Sequence, residues 1–323
     1  HGISFSQTFS AKGQLVVSGL TSNDIPDNWS SFESIIGYIP TLSLAKEVSI
    51  DKLFDAEWAY YLKRYYAGDS LFNYSENNHR FWVRYSSEKI EARLGLQKIV
   101  FGPTQILRPL SWFDTFDLKD PTGQTDGVES FRLKWFPSNG ISVWSWLVNN
   151  DVDTLSYGGR AEITSSIGEF GFTYHQTPEN SIQYIGQPGI PFYGSHNRIG
   201  VDFRFDGFIG LWNENVLIKS DESKLGLITV GADYTIPVAN GFLVMTESMY
   251  IYNKDNNLNS DQTYSVFMAS LPIGMIHQIM YISQVDWKED KTYQYLRWSS
   301  TYDAYSLNMI ISMNPKRNQY DIP

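Results

Sequence analysis

The sequence predicts an all-β protein, a transmembrane up-and-down antiparallel β-barrel of about 16–18 strands with short turns at one end and longer loops at the other. Three observations lead there. Apolar and polar residues alternate with period two nearly from end to end. Tight turn signals and longer polar links take turns along the whole chain. There is no apolar run of the ~18 or more residues that a membrane helix needs. A closed barrel is the other structure that satisfies every backbone polar group inside a bilayer.

The composition agrees. Of 323 residues, 19% are charged, below the ~25% of soluble domains. Aromatics reach 15%, led by 21 Tyr and 19 Phe, as a lipid-facing surface with aromatic girdles requires. A Tyr-rich lectin sandwich fits the composition almost as well. Cysteine is absent, which excludes disulfides and thiolate metal sites. A net charge of −10 argues against nucleic acid as a partner. The chain begins at His1 without Met or an apolar leader, so it reads as a mature or trimmed product.

The elements follow from the alternation. Phe54, Ala56, Trp58, Tyr60 and Leu62 alternate with Asp55, Glu57 and Lys63. Ile90, Ala92, Leu94 and Leu96 oppose Glu91, Arg93, Gly95 and Gln97, and Phe131, Leu133 and Trp135 oppose Arg132 and Lys134. Phe170, Phe172 and Tyr174 face away from Glu169, Thr173 and His175, and Ile228, Val230, Ala232, Tyr234 and Ile236 oppose Thr229, Asp233 and Thr235. A soluble sandwich has the same period, with its polar face in solvent. In a barrel the polar face is the lumen.

Tight turns are expected at Ala11-Lys12-Gly13, Ile50-Asp51, Ser86-Ser87, 137–140, Ser165-Ser166, Asp206-Gly207, Asn240-Gly241, 271–274 and 301–303. Longer links are expected near 21–36, 67–79, 99–129, 150–157, 177–197, 218–223, 253–262 and 288–291. Nine hairpins give about 18 strands, and Pro40 in the second hairpin and poor alternation over 240–252 widen the estimate to 16–18. The whole of 1–323 reads as one barrel domain.

The link 99–129 is the most distinctive segment. Its Ile106, Leu107, Leu110, Trp112, Phe113 and Phe116 should pack, either inside the lumen as a constriction or outside as a compact cap. Asp114, Asp117, Asp120 and Asp126 within it would suit Ca²⁺ by their oxygen chemistry. Asp120-Pro121 and Asp126-Gly127 also read as ordinary turns, and no firm metal or cofactor follows. Arg80, Arg84, Glu91, Arg93, Gln97, Arg132, Lys134, Arg160 and Glu162 are placed on the lumen face, as a constriction lining or as space-filling ion pairs. Trp58-Tyr60-Tyr61, Tyr65-Tyr66 and Tyr293-Tyr295 read as girdle aromatics in preference to sugar platforms. The five His lack zinc spacing and no GxSxG exists, so no catalytic residue is assigned and the chain does not read as an enzyme.

The stretch RLGLQKIVFG (93–102), followed by residues 108–135, resembles a motif of Bacteroidota outer-membrane β-barrel proteins and, more distantly, the alginate-export and phosphate-selective porin groups. The matching residues are Arg93, Gly95, Gln97, Gly102, Asp117, Asp120, Pro121, Asp126 and Gly127. The resemblance implies an outer-membrane location and transport, and brings no ligand with it. The C-terminal NPKRNQYDIP lacks the terminal aromatic usual in such barrels, so either residues were trimmed or the last strand ends near Met313. The leading reading is a porin-like channel for passive or selective transport of small polar solutes. Its rival is a loop-plugged accessory or structural barrel subunit of a larger envelope complex. Outer-membrane lipid, a small polar solute, and other envelope proteins or further copies of the chain are the partners these readings imply.

Overall fold

A computed structural model describes residues 7–23, 30–114, 124–150, 154–178, 182–185, 190–221, 223–238, 240–255 and 258–314. Those residues are strands and connections, without a helix. In chain order the strands are β1 (Gln7–Thr21), β2 (Phe32–Ser49), β3 (Lys52–Ala67), β4 (Ser70–Ser87), β5 (Ile90–Gln97), β6 (Val128–Ser138), β7 (Ile141–Asn149), β8 (Leu155–Ser165), β9 (Gly168–Thr177) and β10 (Ile182–Ile185). There follow β11 (Ile190–Tyr193), β12 (His196–Asp206), β13 (Gly210–Lys219), β14 (Lys224–Ile236), β15 (Phe242–Asp255), β16 (Leu258–Ile273), β17 (His277–Asp286), β18 (Lys291–Thr301) and β19 (Ser306–Met313). Seventeen belong to one up-and-down antiparallel sheet, and β10 and β11 form a separate hairpin within the link before β12.

The chain divides into two compact units, residues 1–100 with 113–157, and residues 101–112 with 158–323. In the first unit β1 to β7 pair each with the next. In the second, β9 pairs with β12 across the inserted hairpin, and β12 to β19 continue the meander. β19 ends at Met313, one of the two alternatives the C-terminal sequence left open.

Three expected boundaries are corrected. Ala11-Lys12-Gly13 is no turn, because β1 runs through it and pairs those residues with Leu42, Thr41 and Pro40. Gly13 is there for space: a Cβ would meet the ring and hydroxyl of Tyr38. This removes one predicted strand and leaves 17. The supposed link 67–79 is a two-residue turn at Gly68-Asp69, with Gly68 at φ +59°, followed directly by β4. Its polar residues stay in the ladder because partners satisfy them: Arg64 pairs with Glu76 at 2.9 Å, and the Trp58 indole donates to Asn78 at 3.2 Å. The link 253–262 is likewise mostly strand, since β15 runs to Asp255 and β16 begins at its partner Leu258.

Burial decides between the sandwich and the membrane. Along β14, Ile228 and Val230 are 47% and 52% exposed, while Thr229 between them is fully buried. Leu94, Phe131, Phe172 and Val201 are exposed, while Arg132, Arg160, Arg198 and Asp202 are buried. A water-soluble sandwich buries its apolar face. Here the apolar face lies open over many strands, far beyond the patch a soluble monomer tolerates. That inversion is what a surface solvated by lipid requires.

Candidate functional site

In the second unit, residues 101–112 lie against the covered face of β9 and β12 to β15, and two carboxylates hold them. Glu247 on β15 accepts the backbone N–H groups of Gln105 at 2.7 Å, Ile106 at 3.0 Å and Leu107 at 2.7 Å. Glu214 on β13 accepts those of Thr104 at 2.9 Å and Leu110 at 3.1 Å. Irregular backbone strands its own donors, and buried N–H groups must find acceptors. Five are satisfied here by two side chains that are themselves 1% exposed. Hydrogen bonds to charged groups contribute about 1.5–3 kcal/mol each.

The sheet is shaped to let these carboxylates reach. Trp212, Gly231 and Glu247 occupy one transverse row on β13, β14 and β15. A Cβ on Gly231 would overlap the Trp212 indole, so only glycine lets that ring cross the row. The indole N–H then donates to Glu247 at 3.1 Å. Gly102, at φ +93°, presents its bare α-carbon to Glu214. Further along, Leu110 and Trp112 rest over Gly200 of β12. Trp112 meets Phe101 edge-on at 5.7 Å, His175 at 6.3 Å and the Arg198 guanidinium at 5.8 Å. Gly200→Val is expected to dislodge this end, since the first added carbon would lie 2.5 Å from Leu110. Overpacking costs about 1–3 kcal/mol, so chymotrypsin cleavage after Leu110 and Trp112 should quicken roughly ten-fold. Unchanged cleavage would show that the loop does not depend on this seat.

Beside the loop, Arg160 of β8 makes a bidentate bridge to Asp202 at 2.6 and 2.9 Å. It also donates to Thr173 at 2.8 Å and Glu162 at 2.7 Å, and faces the Phe101 ring at 5.3 Å.

A second constellation sits in the first unit. Arg84, Arg93 and Arg132 stand directly opposite one another across β4, β5 and β6. Glu91 lies 2.6 Å from Arg132, 3.4 Å from Arg84 and 3.9 Å from Arg93, and Asp55 takes Arg84 at 2.6 Å. The Trp82 ring lies under Arg93 at 4.3 Å and the Trp144 ring under Lys134 at 3.2 Å, each giving its π-face to a cation. Three guanidiniums thus share two carboxylates.

No family model matches the chain, and no curated protein matches its sequence. Solved structures do. OmpT of Vibrio cholerae, described as an outer membrane protein in trimer form, superposes with a TM-score of 0.56 at 8% identity, covering 97% of this chain and 96% of its own. Salmonella typhi OmpF gives 0.53 at 11% identity over 86% and 89%. A triple mutant of the Rhodopseudomonas blastica porin gives 0.52 at 10% identity over 95% and 100%. The fold is that of an outer-membrane β-barrel.

Within this barrel fold the nine residues chosen from sequence separate into two groups. Arg80, Arg84, Glu91, Arg93, Gln97, Arg132 and Lys134 lie in the first unit, and Arg160 and Glu162 in the second. Arg80 is buried and donates to the carbonyls of His79 at 2.5 Å and Thr125 at 2.6 Å, and Gln97 donates to the carbonyl of Ser130 at 3.0 Å. Both therefore hold backbone. Of the four aspartates weighed for Ca²⁺, Asp117 and Asp120 fall outside the described residues, and among the described residues no three His, Cys, Asp or Glu side chains gather around a metal-sized site.

Sequence reasoning missed Glu214, Glu247, Asp202 and Arg198. For Glu247 a signal existed in the poor alternation over 240–252. It arises because Met245, Met249 and Ile251 on the covered face are apolar and buried, as are Ile106, Leu107 and Leu110 of the loop.

Proposed function

We propose that the protein is a porin-like channel of the bacterial outer membrane, formed by the whole chain as one barrel domain, that passes small polar solutes. The observation that carries this reading is a buried loop, residues 101–112, latched by Glu214 and Glu247 to the charged face of a sheet whose other face is apolar and exposed. On this reading the charged face is the lumen lining and the loop is its constriction. The porin neighbours OmpF and that of Rhodopseudomonas blastica support it. The trimer form of OmpT supports assembly of several copies, with lipid on the apolar face. The narrower affiliation with Bacteroidota porin-like groups rests on the motif at 93–135.

Selectivity follows from the strip on β4 to β6. Arg84, Arg93 and Arg132 exceed Asp55 and Glu91 by one charge, so solutes passing it meet a positive field. Anions should be preferred there despite the acidic total.

Single-channel recording in planar bilayers tests this, with heat-modifiable gel migration as folding control. Discrete steps with an anion-leaning reversal potential are expected. The double variant Arg93→Glu, Arg132→Glu should swing the preference toward cations, because four charge units change beside the path. Steps with unchanged selectivity would sink the assignment of the strip to the lumen. A folded but silent barrel would sink the channel and favour the loop-plugged accessory subunit.

A further inference from the structure

The exposed face of the second unit ends in a row of cations. Strand pairing sets Asn197 opposite Gln176 and Lys219, Lys219 opposite Lys224, and Lys224 opposite Lys254. Residues directly opposite in an antiparallel ladder share a face, and the three lysines are exposed on the side that carries Ile199, Val201, Ile228, Val230 and Tyr250. They occupy the ends of β13, β14 and β15, beside the connections 220–223 and 256–257, so the row borders the apolar surface. Like charges directly opposite one another on a sheet oppose its formation. The fold nevertheless places two such pairs side by side. Among the described residues none of the three ammonium groups makes an ion pair or hydrogen bond, and Asp221 in the adjoining connection does not take one.

Next to the row opens a polar cavity of about 200 Å³. It is lined by Gln176, Asn197 and Lys219 of the row together with Thr177, Ser195, His196, Ser220 and Asp221.

We propose that this row binds the phosphate groups of a membrane lipid headgroup, with the cavity taking the headgroup's neighbouring hydroxyls. The acyl chains would lie on the apolar face one row inward, at Ile199, Leu217 and Tyr252. Lysine suits the task because its flexible stem can lie along apolar surface while the ammonium reaches headgroup level. Basic clusters at the edge of a membrane-spanning surface recognise anionic headgroups in this way. The proposal rests on the apolar face meeting lipid and is independent of whether the barrel conducts.

Native mass spectrometry of the folded protein released from detergent tests it, with diphosphoryl lipid A, dioleoylphosphatidylcholine and inorganic phosphate as probes. The variant Lys219→Gln, Lys224→Gln, Lys254→Gln is compared with Lys12→Gln, Lys46→Gln, Lys52→Gln, which removes the same charge from exposed lysines of the first unit. Each lysine near an anionic headgroup contributes about five-fold in affinity, so the row variant should retain diphosphoryl lipid A on the order of 100-fold less. Phosphatidylcholine retention should not change, and the control variant should behave as the original chain. Equal losses in both variants would overturn the site in favour of general charge attraction. Undiminished retention in the row variant would overturn it outright. Full competition by millimolar inorganic phosphate would overturn the lipid as its occupant.

Discussion

Replacing Glu247 with Ala is expected to free residues 105–107 while leaving the barrel assembled. The change removes the acceptor of three main-chain N–H groups and of the Trp212 indole. Each donor left buried and unpaired costs about 1–3 kcal/mol, so the latched geometry loses several kcal/mol in one step. Glu247→Gln should fall between, because its amide keeps one acceptor oxygen but turns an NH₂ toward donors. The strands carry their own ladders, so heat-modifiable migration should persist. Chymotrypsin should then cut after Leu107 at least ten-fold faster, and the current through single channels should become larger or noisier. An intact loop with unchanged current would mean that the buried Ile106, Leu107 and Leu110 hold it by packing alone. A freed loop with unchanged current would instead remove it from the conducting path. The two measurements therefore judge the latch and the constriction separately.

What the sequence made legible was whatever depends on local pattern. Alternation located the strands, because period two is a property of the backbone and survives any neighbour. Eight of the nine expected tight turns lie at or beside a strand end, and the ninth failed at Gly13 because glycine serves close approach as well as turning. The links at 67–79 and 253–262 failed for a related reason. Polar residues read as loops, yet Asn78 and Glu76 remain in strand once Trp58 and Arg64 answer them across the ladder. The loop 101–112 was visible as a packed segment but its partners were not. Glu214 and Glu247 lie more than 100 positions downstream, and nothing in LWNENVLIK distinguishes a carboxylate that will accept loop N–H groups from one that will meet water. The transverse rows were hidden as well. Arg84, Arg93 and Arg132, or Lys219, Lys224 and Lys254, become neighbours through register alone, which hairpin geometry fixes and composition does not.

Arg160→Met should be the costliest single change at the charged face of the second unit. The guanidinium is 6% exposed and gives two hydrogen bonds to Asp202, one to Thr173 and one to Glu162. The neighbouring glycine testifies to how tightly the bridge is set, since a Cβ on Gly171 would overlap both the Arg160 guanidinium and the Asp202 carboxylate. Removing one partner of a buried pair leaves the other charge uncompensated, at about 3–5 kcal/mol. Removing both is far milder: Arg160→Met with Asp202→Leu should recover more than half of that loss, because no buried charge then remains from the bridge. Gly171→Ala should resemble the single variant, forcing the bridge apart without deleting either group. Urea unfolding of the detergent-folded protein, followed by tryptophan fluorescence, reads all three. A loss below about 1 kcal/mol for Arg160→Met would mean that water reaches Asp202 as soon as the guanidinium leaves, as it does at exposed pairs. The face would then be wetter than its burial implies, and a solute crossing it would meet screened charges in place of a directed field. The stability of one ion pair thus bears on how the proposed channel could discriminate among solutes.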